Sequence, residues 1–160
     1  MTEHNETTTT LNTLIATLID SVEGYQKSAG DVENPRYAEL FNARARERQH
    51  AITGLQAAVA AEGGNPEDDG SVMGTVHRAF QSLREVVSTR DDAAIIAEIE
   101  RAEDYLKEKF EAAQRHTDLS PQARDAVSKA WESVRAGHDE MSALKHRTDH
   151  AVADSPTYSA

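Results

Sequence analysis

Helical periodicity is the feature of this 160-residue chain that most restricts its fold. Apolar residues recur every three or four positions in several long stretches, which is the pattern of a helix with one buried face. In the first stretch these positions are Leu11, Leu14, Ile15, Leu18, Val22 and Tyr25. Helices of this kind bury their apolar faces against one another, so the pattern predicts an all-α bundle.

Start and stop signals divide the chain into separate helices. Asn34-Pro35 and Ser120-Pro121 each place a capping side chain before a proline at the first helical position. The segment from Thr89 to Asp92 resembles a capping box with aspartate in place of glutamate. Gly63-Gly64 ends a helix. Five helices are predicted, over about residues 11–30, 35–62, 71–88, 92–113 and 121–147.

The third predicted helix determines the topology. About 17 helical residues cover roughly 25 Å at 1.5 Å per residue, enough to return the chain along a bundle. The first two helices and the last two are each expected to form an antiparallel hairpin, and this crossover helix, with a structural His77, joins them. Residues 1–9 and 148–160 are polar and lack periodicity, so we expect disordered tails on either side of a bundle over residues 10–147.

Charge and composition narrow the classes of partner. Lys and Arg number 17 against 28 Asp and Glu, a formal net charge of −11. Such an acidic surface repels nucleic acid and anionic lipid. The absence of cysteine removes disulfides and thiolate chemistry. With no signal peptide and no apolar run of about 20 residues, we expect a cytoplasmic protein that binds neither nucleic acid nor membrane.

Four segments carry a resemblance to a known family: LNTLIATLIDSVEGYQKSA, GGNPEDDGSVMGTVHRAF, EIERAEDYLKEKF and RAGHDEMSALK. In them, across about residues 11–145, the chain resembles a bacterial family of ferritin-like four-helix bundles, a domain of unknown function found in many proteobacteria. The second segment is the most specific, because a Gly-Gly-x-Pro loop leading into Gly-Ser-x-x-Gly-x-x-His-Arg is not a generic helix connection. The resemblance implies a ferritin-like fold and distant kinship to di-iron proteins, and no particular activity.

Di-iron bundles of this class use a Glu from each of two helices and a Glu-x-x-His from each of the other two, all pointing inward. The second helix contains one such motif, from Glu47 to His50. At about 100° per residue, both side chains fall outside the apolar face, so we expect them on the solvent-exposed surface. Arg135 stands three residues before His138, so the last helix lacks the second motif. A symmetric di-iron centre is therefore not expected.

Two inward polar groups remain on the second and fourth predicted helices. Glu103 lies on the apolar stripe of the fourth predicted helix. On the second predicted helix, Arg48 lies on the same side as the apolar residues. If those helices are parallel, the two side chains sit at similar heights. A buried ion pair is the simple interpretation, and Glu103 as a metal ligand is the alternative.

His138 lies on the stripe of the last helix, with Glu23 of the first helix at a similar height. A hydrogen bond between the imidazole and a carboxylate is one reading. A mononuclear Fe, Mn or Zn site with Glu23, Glu103 and His138 as ligands is the other, and Asp139 and Glu100 could complete either arrangement.

These observations predict an all-α, ferritin-like four-helix bundle with an additional crossover helix between the second and third bundle helices. The leading hypothesis is a non-enzymatic protein with no catalytic residues and at most weak metal binding, with a role under stress left open. One alternative is a metal-dependent oxidase or iron-handling protein using iron or manganese. Another is a helical adaptor, or a homo-oligomer formed through the alanine-rich face of the second helix. The sequence does not identify a small-molecule substrate.

Overall fold

Four helices pack side by side in the computed structural model, which describes residues 2–68, 91–116 and 119–154. They are α1 (Thr2–Asp31), α2 (Pro35–Ala61), α3 (Asp92–Gln114) and α4 (Pro121–Asp154). These ranges contain no strand, which confirms the all-α prediction. The predicted crossover helix over residues 71–88, with His77, lies outside the described residues.

Local signals begin and end α2 and begin α4 as predicted. The side chain of Asn34 caps the first turn of α2, with Pro35 at the first helical position. Ser120 Oγ accepts a hydrogen bond from the backbone N–H of Ala123 at 3.1 Å. After α2, Gly63 has a φ of 81°, the left-handed conformation that glycine tolerates best and that commonly closes a helix.

The start of α3 differs in detail from the prediction. Thr89 lies outside the described residues, and Asp91 is the capping residue, since its carboxylate accepts a hydrogen bond from the first turn at 3.0 Å. The next residue, Asp92, accepts hydrogen bonds from the backbone N–H groups of Glu33 and Asn34 at 2.8 and 2.9 Å. This contact ties the start of α3 to the turn between α1 and α2.

Neighbouring helices run antiparallel. α1 packs against α2 and α3, and α4 packs against the same two helices. Ser120 Oγ donates a hydrogen bond to the Glu62 carboxylate, which joins the start of α4 to the end of α2. Because α3 starts beside the end of α1, α2 and α3 run in the same direction at opposite corners. These are the two predicted hairpins, and residues 62 and 91 lie at opposite ends of the bundle.

The helices extend into both segments that were predicted to be disordered tails, residues 1–9 and 148–160. α1 begins at Thr2, and α4 continues to Asp154. Thr7 is buried, and Thr8 lies against Gly64 in the turn after α2, so this turn provides a packing surface for the first turns of α1. Threonines carry little apolar signal, so periodicity did not reveal this contact.

The predicted apolar stripes form the core. Among its buried side chains are Leu11, Ile15, Leu18, Phe41, Ile52, Leu55, Ile99, Leu106, Phe110, Val134 and Met141. Two charged side chains, Arg48 and Glu103, are buried with them at 0% exposure. Within the described ranges, no helix has an apolar stretch long enough to cross a membrane.

Candidate functional site

A bidentate ion pair lies in the middle of the bundle. Arg48 of α2 donates from Nη1 to Glu103 Oε1 of α3 at 2.7 Å, and from Nη2 to Oε2 at 2.5 Å. Both side chains are fully buried. Because α2 and α3 occupy opposite corners, the pair crosses the core. The buried ion pair that the sequence predicted is present.

The other two helices complete the surroundings of this pair. Arg48 Nη1 also donates to Ser21 Oγ of α1 at 2.6 Å, and its guanidinium carbon lies 5.6 Å from the centroid of the Tyr25 ring. On α4, a Cβ added to Gly137 would lie 3.2 Å from Glu103 Oε2, so glycine provides the space that the pair occupies. We call Ser21, Tyr25, Arg48, Glu103 and Gly137 the polar centre.

The pKa values of Arg48 and Tyr25 keep each of these two groups in one protonation state near neutral pH. Burial alone would lower the pKa of Arg48, but the charge and hydrogen bonds of Glu103 raise it above its ordinary value. Burial, together with the charge of Glu103, raises the pKa of Tyr25 well above its ordinary value. The centre therefore holds a permanent guanidinium and a neutral phenol, and neither exchanges a proton near neutral pH.

His138 lies at the seam between α3 and α4, while its neighbour Gly137 takes the inward position. The imidazole side chain is 13% exposed. Its Nε2 is 2.6 Å from Asp104 Oδ1 of α3, and its Nδ1 is 3.1 Å from Asp139 Oδ1 of α4. One potential ligand atom each from Glu100, Asp104 and His138 lie within 4.8 Å of one another. We call these three residues and Asp139 the α3–α4 cluster.

Both ring nitrogens of His138 face carboxylate oxygens, and this has a chemical consequence. A neutral imidazole carries one N–H and one lone pair, so it can donate to only one of Asp104 and Asp139. The second contact then requires a further proton or another cation at the ring. Burial lowers the pKa of His138, but the hydrogen bonds to Asp139 and Asp104 outweigh it, and the pKa is raised overall.

The structure does not bring the three predicted metal ligands together. Glu23 is exposed, and Glu103 is bound to Arg48. Neither belongs with His138 to the one group of ligand-type side chains found in the described ranges. The predicted hydrogen bond from His138 to a carboxylate is present, with Asp104 in the place proposed for Glu23. Metal binding by the original set stays a prediction.

Asp104 was not among the site residues predicted from the sequence, although the sequence contains a pattern that indicates it. Glu100 and Asp104 are four residues apart, so they share one face of α3. Paired with a histidine on the antiparallel neighbour, that spacing would have indicated a cluster. The apolar stripe favoured Glu103 instead, whose direction differs from that of Asp104 by about 100°.

Glu47 and His50 lie on the exposed surface, as predicted. Glu47 accepts hydrogen bonds from Arg44 Nη1 at 2.7 Å and from Ser133 Oγ at 3.1 Å. Beside them an open groove of about 460 Å³ runs between α2 and α4. Its small lining residues are Ala51, Gly54, Ala57, Ala58, Ala126 and Ala130. Self-association or adaptor binding through this face stays a prediction.

The fold and the polar centre define an all-α helical bundle organised around a buried ion pair. The chain belongs to the family of the domain of unknown function DUF2383, whose family model matches residues 6–116. The match includes Arg48, Glu103 and Asp104 and ends before α4, so His138 lies beyond it. No curated protein and no solved structure matches the chain.

Proposed function

We propose that the protein is a ferritin-like four-helix bundle with a non-catalytic role, in which the polar centre stands where di-iron relatives hold metal. The observation that carries this proposal is the fully buried, bidentate pair of Arg48 and Glu103. It occupies the position in a bundle at which cofactors are usually bound.

The helix directions support the ferritin-like part of the proposal. Two antiparallel hairpins, α1 with α2 and α3 with α4, are joined so that α2 and α3 run in the same direction. A four-helix bundle with one long connection between its hairpins is the ferritin-like topology.

The residues of the polar centre do not fit a di-iron site. Such a site takes four inward carboxylates and two inward imidazoles. The polar centre has one carboxylate, Glu103, and both of its oxygens already accept hydrogen bonds from Arg48. A metal dication there would face a permanent guanidinium. Within the described part of the chain, His50 is exposed and His138 lies at the seam.

A structural role for the pair follows from its burial. Removing two charges from water is costly, and only well-aligned hydrogen bonds offset that cost. An axial shift of α2 relative to α3 would separate Arg48 from Glu103, so the pair favours one register of the helices. We infer a rigid bundle that acts through its surfaces, with no reaction at its centre.

Iron oxidation is the test that separates this role from the oxidase alternative. The purified full chain is mixed with Fe²⁺ in air, and Fe³⁺ formation is followed by absorbance. We expect the rate seen in buffer alone, for the native protein and for Glu103→Gln. Faster oxidation by the native protein that disappears in Glu103→Gln but persists in the surface variant Glu47→Gln would overturn the proposal.

A further inference from the structure

We infer that Glu100, Asp104 and His138 form a surface site for one divalent first-row transition-metal ion, with Asp139 orienting the imidazole. The site lies at the seam of α3 and α4 and shares no residue with the polar centre. It therefore does not depend on the proposed function.

The donor geometry suits a single ion. Carboxylate oxygens and imidazole nitrogens bind such ions at about 2.0–2.2 Å, which places the donors around one ion roughly 3–4 Å apart. The three potential ligand atoms already lie within 4.8 Å of one another. Opening the 2.6 Å contact between His138 and Asp104 slightly, with a rotation of the Glu100 side chain, makes room for the metal.

The electrostatics of the α3–α4 cluster call for a cation at this point. In the tautomer that donates from His138 Nδ1 to Asp139, the Nε2 lone pair faces Asp104. A carboxylate behind a metal-binding histidine is the usual arrangement that orients such a ligand. Either a proton or a metal ion can then occupy the space between Nε2 and Asp104. The charge of Lys107 disfavours a further positive charge at the His138 ring. Three carboxylates surround the same ring and favour it.

The donor set selects the class of ion. Imidazole favours Zn²⁺ and Fe²⁺ over Ca²⁺ and Mg²⁺, which prefer all-oxygen sites. Asp104 and Asp139 are 54% and 66% exposed, so water can fill the remaining coordination positions. We expect a mononuclear site with solvent ligands and a higher affinity for Zn²⁺ than for Mn²⁺.

Calorimetric titration of the full chain with Zn²⁺ at pH 7 tests the site. We expect one equivalent to bind, and Asp104→Asn and His138→Ala each to weaken binding at least 10-fold, because second-shell changes alone cost about 10–100-fold. His50→Ala, the matched control on α2, should bind like the native protein. No binding by the native chain, or an equal loss in His50→Ala, would overturn the inference.

Proton release gives a second readout that a structural role would not change. Near pH 6, Zn²⁺ should displace the proton between His138 and Asp104, so the measured heat should vary with the ionisation enthalpy of the buffer. This variation should vanish in His138→Ala.

If Glu103→Gln instead abolishes binding while Asp104→Asn does not, the metal lies in the bundle core. That outcome contradicts both this site and the proposed polar centre, whereas failure of Zn²⁺ to bind contradicts this site alone.

Discussion

The polar centre and the α3–α4 cluster adjoin on α3 and α4, where each of the two helices contributes one residue to the centre and the next residue to the cluster. Glu103 is followed by Asp104 on α3, and Gly137 is followed by His138 on α4. The first member of each pair faces the core, and the second faces the seam. One step along a helix, about 100° of rotation, separates a carboxylate at 0% exposure from one at 54%.

This difference decides what each group can do. A buried charge without a partner is very unfavourable, so Glu103 and Arg48 depend on one another permanently. A partly exposed carboxylate can turn to water when its partner leaves, so Asp104 can release His138 and bind another cation. Burial makes the first pair part of the architecture, and exposure leaves the second available for binding.

Removing the Glu103 carboxylate is the strongest test of the difference between buried and exposed charges. Glu103→Ala leaves the guanidinium of Arg48 buried and uncompensated, and we expect a loss of about 3–5 kcal/mol in the free energy of unfolding. Urea denaturation followed by circular dichroism measures it. The exposed pair of Asp125 and Lys129 supplies the control, since Asp125→Asn should change stability by less than about 1 kcal/mol. Similar losses in both variants would remove the distinction between buried and exposed pairs.

Gly137→Ala tests whether the polar centre is closely packed. The added methyl group would clash first with Arg48 Nη2, and it would lie 3.1 Å from Arg44 Cδ and 3.2 Å from Glu103 Oε2. Such overpacking costs about 1–3 kcal/mol. Gly54→Ala is the matched control, because no atom lies within 4 Å of the added carbon and alanine favours a helix by about 1 kcal/mol. We expect opposite shifts in the thermal midpoint. A stabilised Gly137→Ala variant would show that the centre has spare space.

Replacing both charged residues of the pair tests whether the pair adds stability beyond the mutual compensation of its two charges. Arg48→Met with Glu103→Leu removes the buried charges together, and such exchanges are often neutral or stabilising. We expect the double variant to recover most of the stability lost by Glu103→Ala. Its unfolding should remain cooperative in urea. A double variant as unstable as the single one would mean that the pair contributes more than mutual compensation.

The smallest expected effect is the pH dependence contributed by His138. Its pKa is raised in the folded chain, so its contribution to stability is complete below its unfolded pKa of about 6.5. That contribution is lost as pH rises through the folded pKa. The stability difference between the native protein and His138→Ala should therefore be larger at pH 6 than at pH 9. Urea denaturation at both values measures it, and a difference that grows with pH would contradict the observed contacts.

Much of the fold could be predicted because it is recorded in local patterns. The apolar stripes, the caps at Asn34 and Ser120 and the stop at Gly63 depend on backbone groups within one or two turns, which neighbouring residues satisfy. The pairing of Arg48 with Glu103 could also be predicted. Each of these residues interrupts an apolar stripe, where a charged side chain can be buried only if it has a partner.

The α3–α4 cluster could not be predicted in the same way. His138 was placed on the inward stripe, but Gly137 takes that position because the polar centre needs space for Arg48 and Glu103. Which carboxylate meets the imidazole depends on the rotation of α3 against α4. Side-chain directions read from one helix alone leave that rotation undetermined.

By itself, the order of residues determined the all-α class, the four described helices and the presence of a buried charge pair. Periodicity and capping act over a few residues, so they can be read without coordinates. Only the tertiary structure decided that Asp104, and not Glu23, meets His138, and it confirmed the pairing of Glu103 with Arg48 that the sequence had offered as one of two interpretations. These pairings join residues 34 and 55 positions apart, and they depend on how whole helices are rotated and aligned when their faces pack.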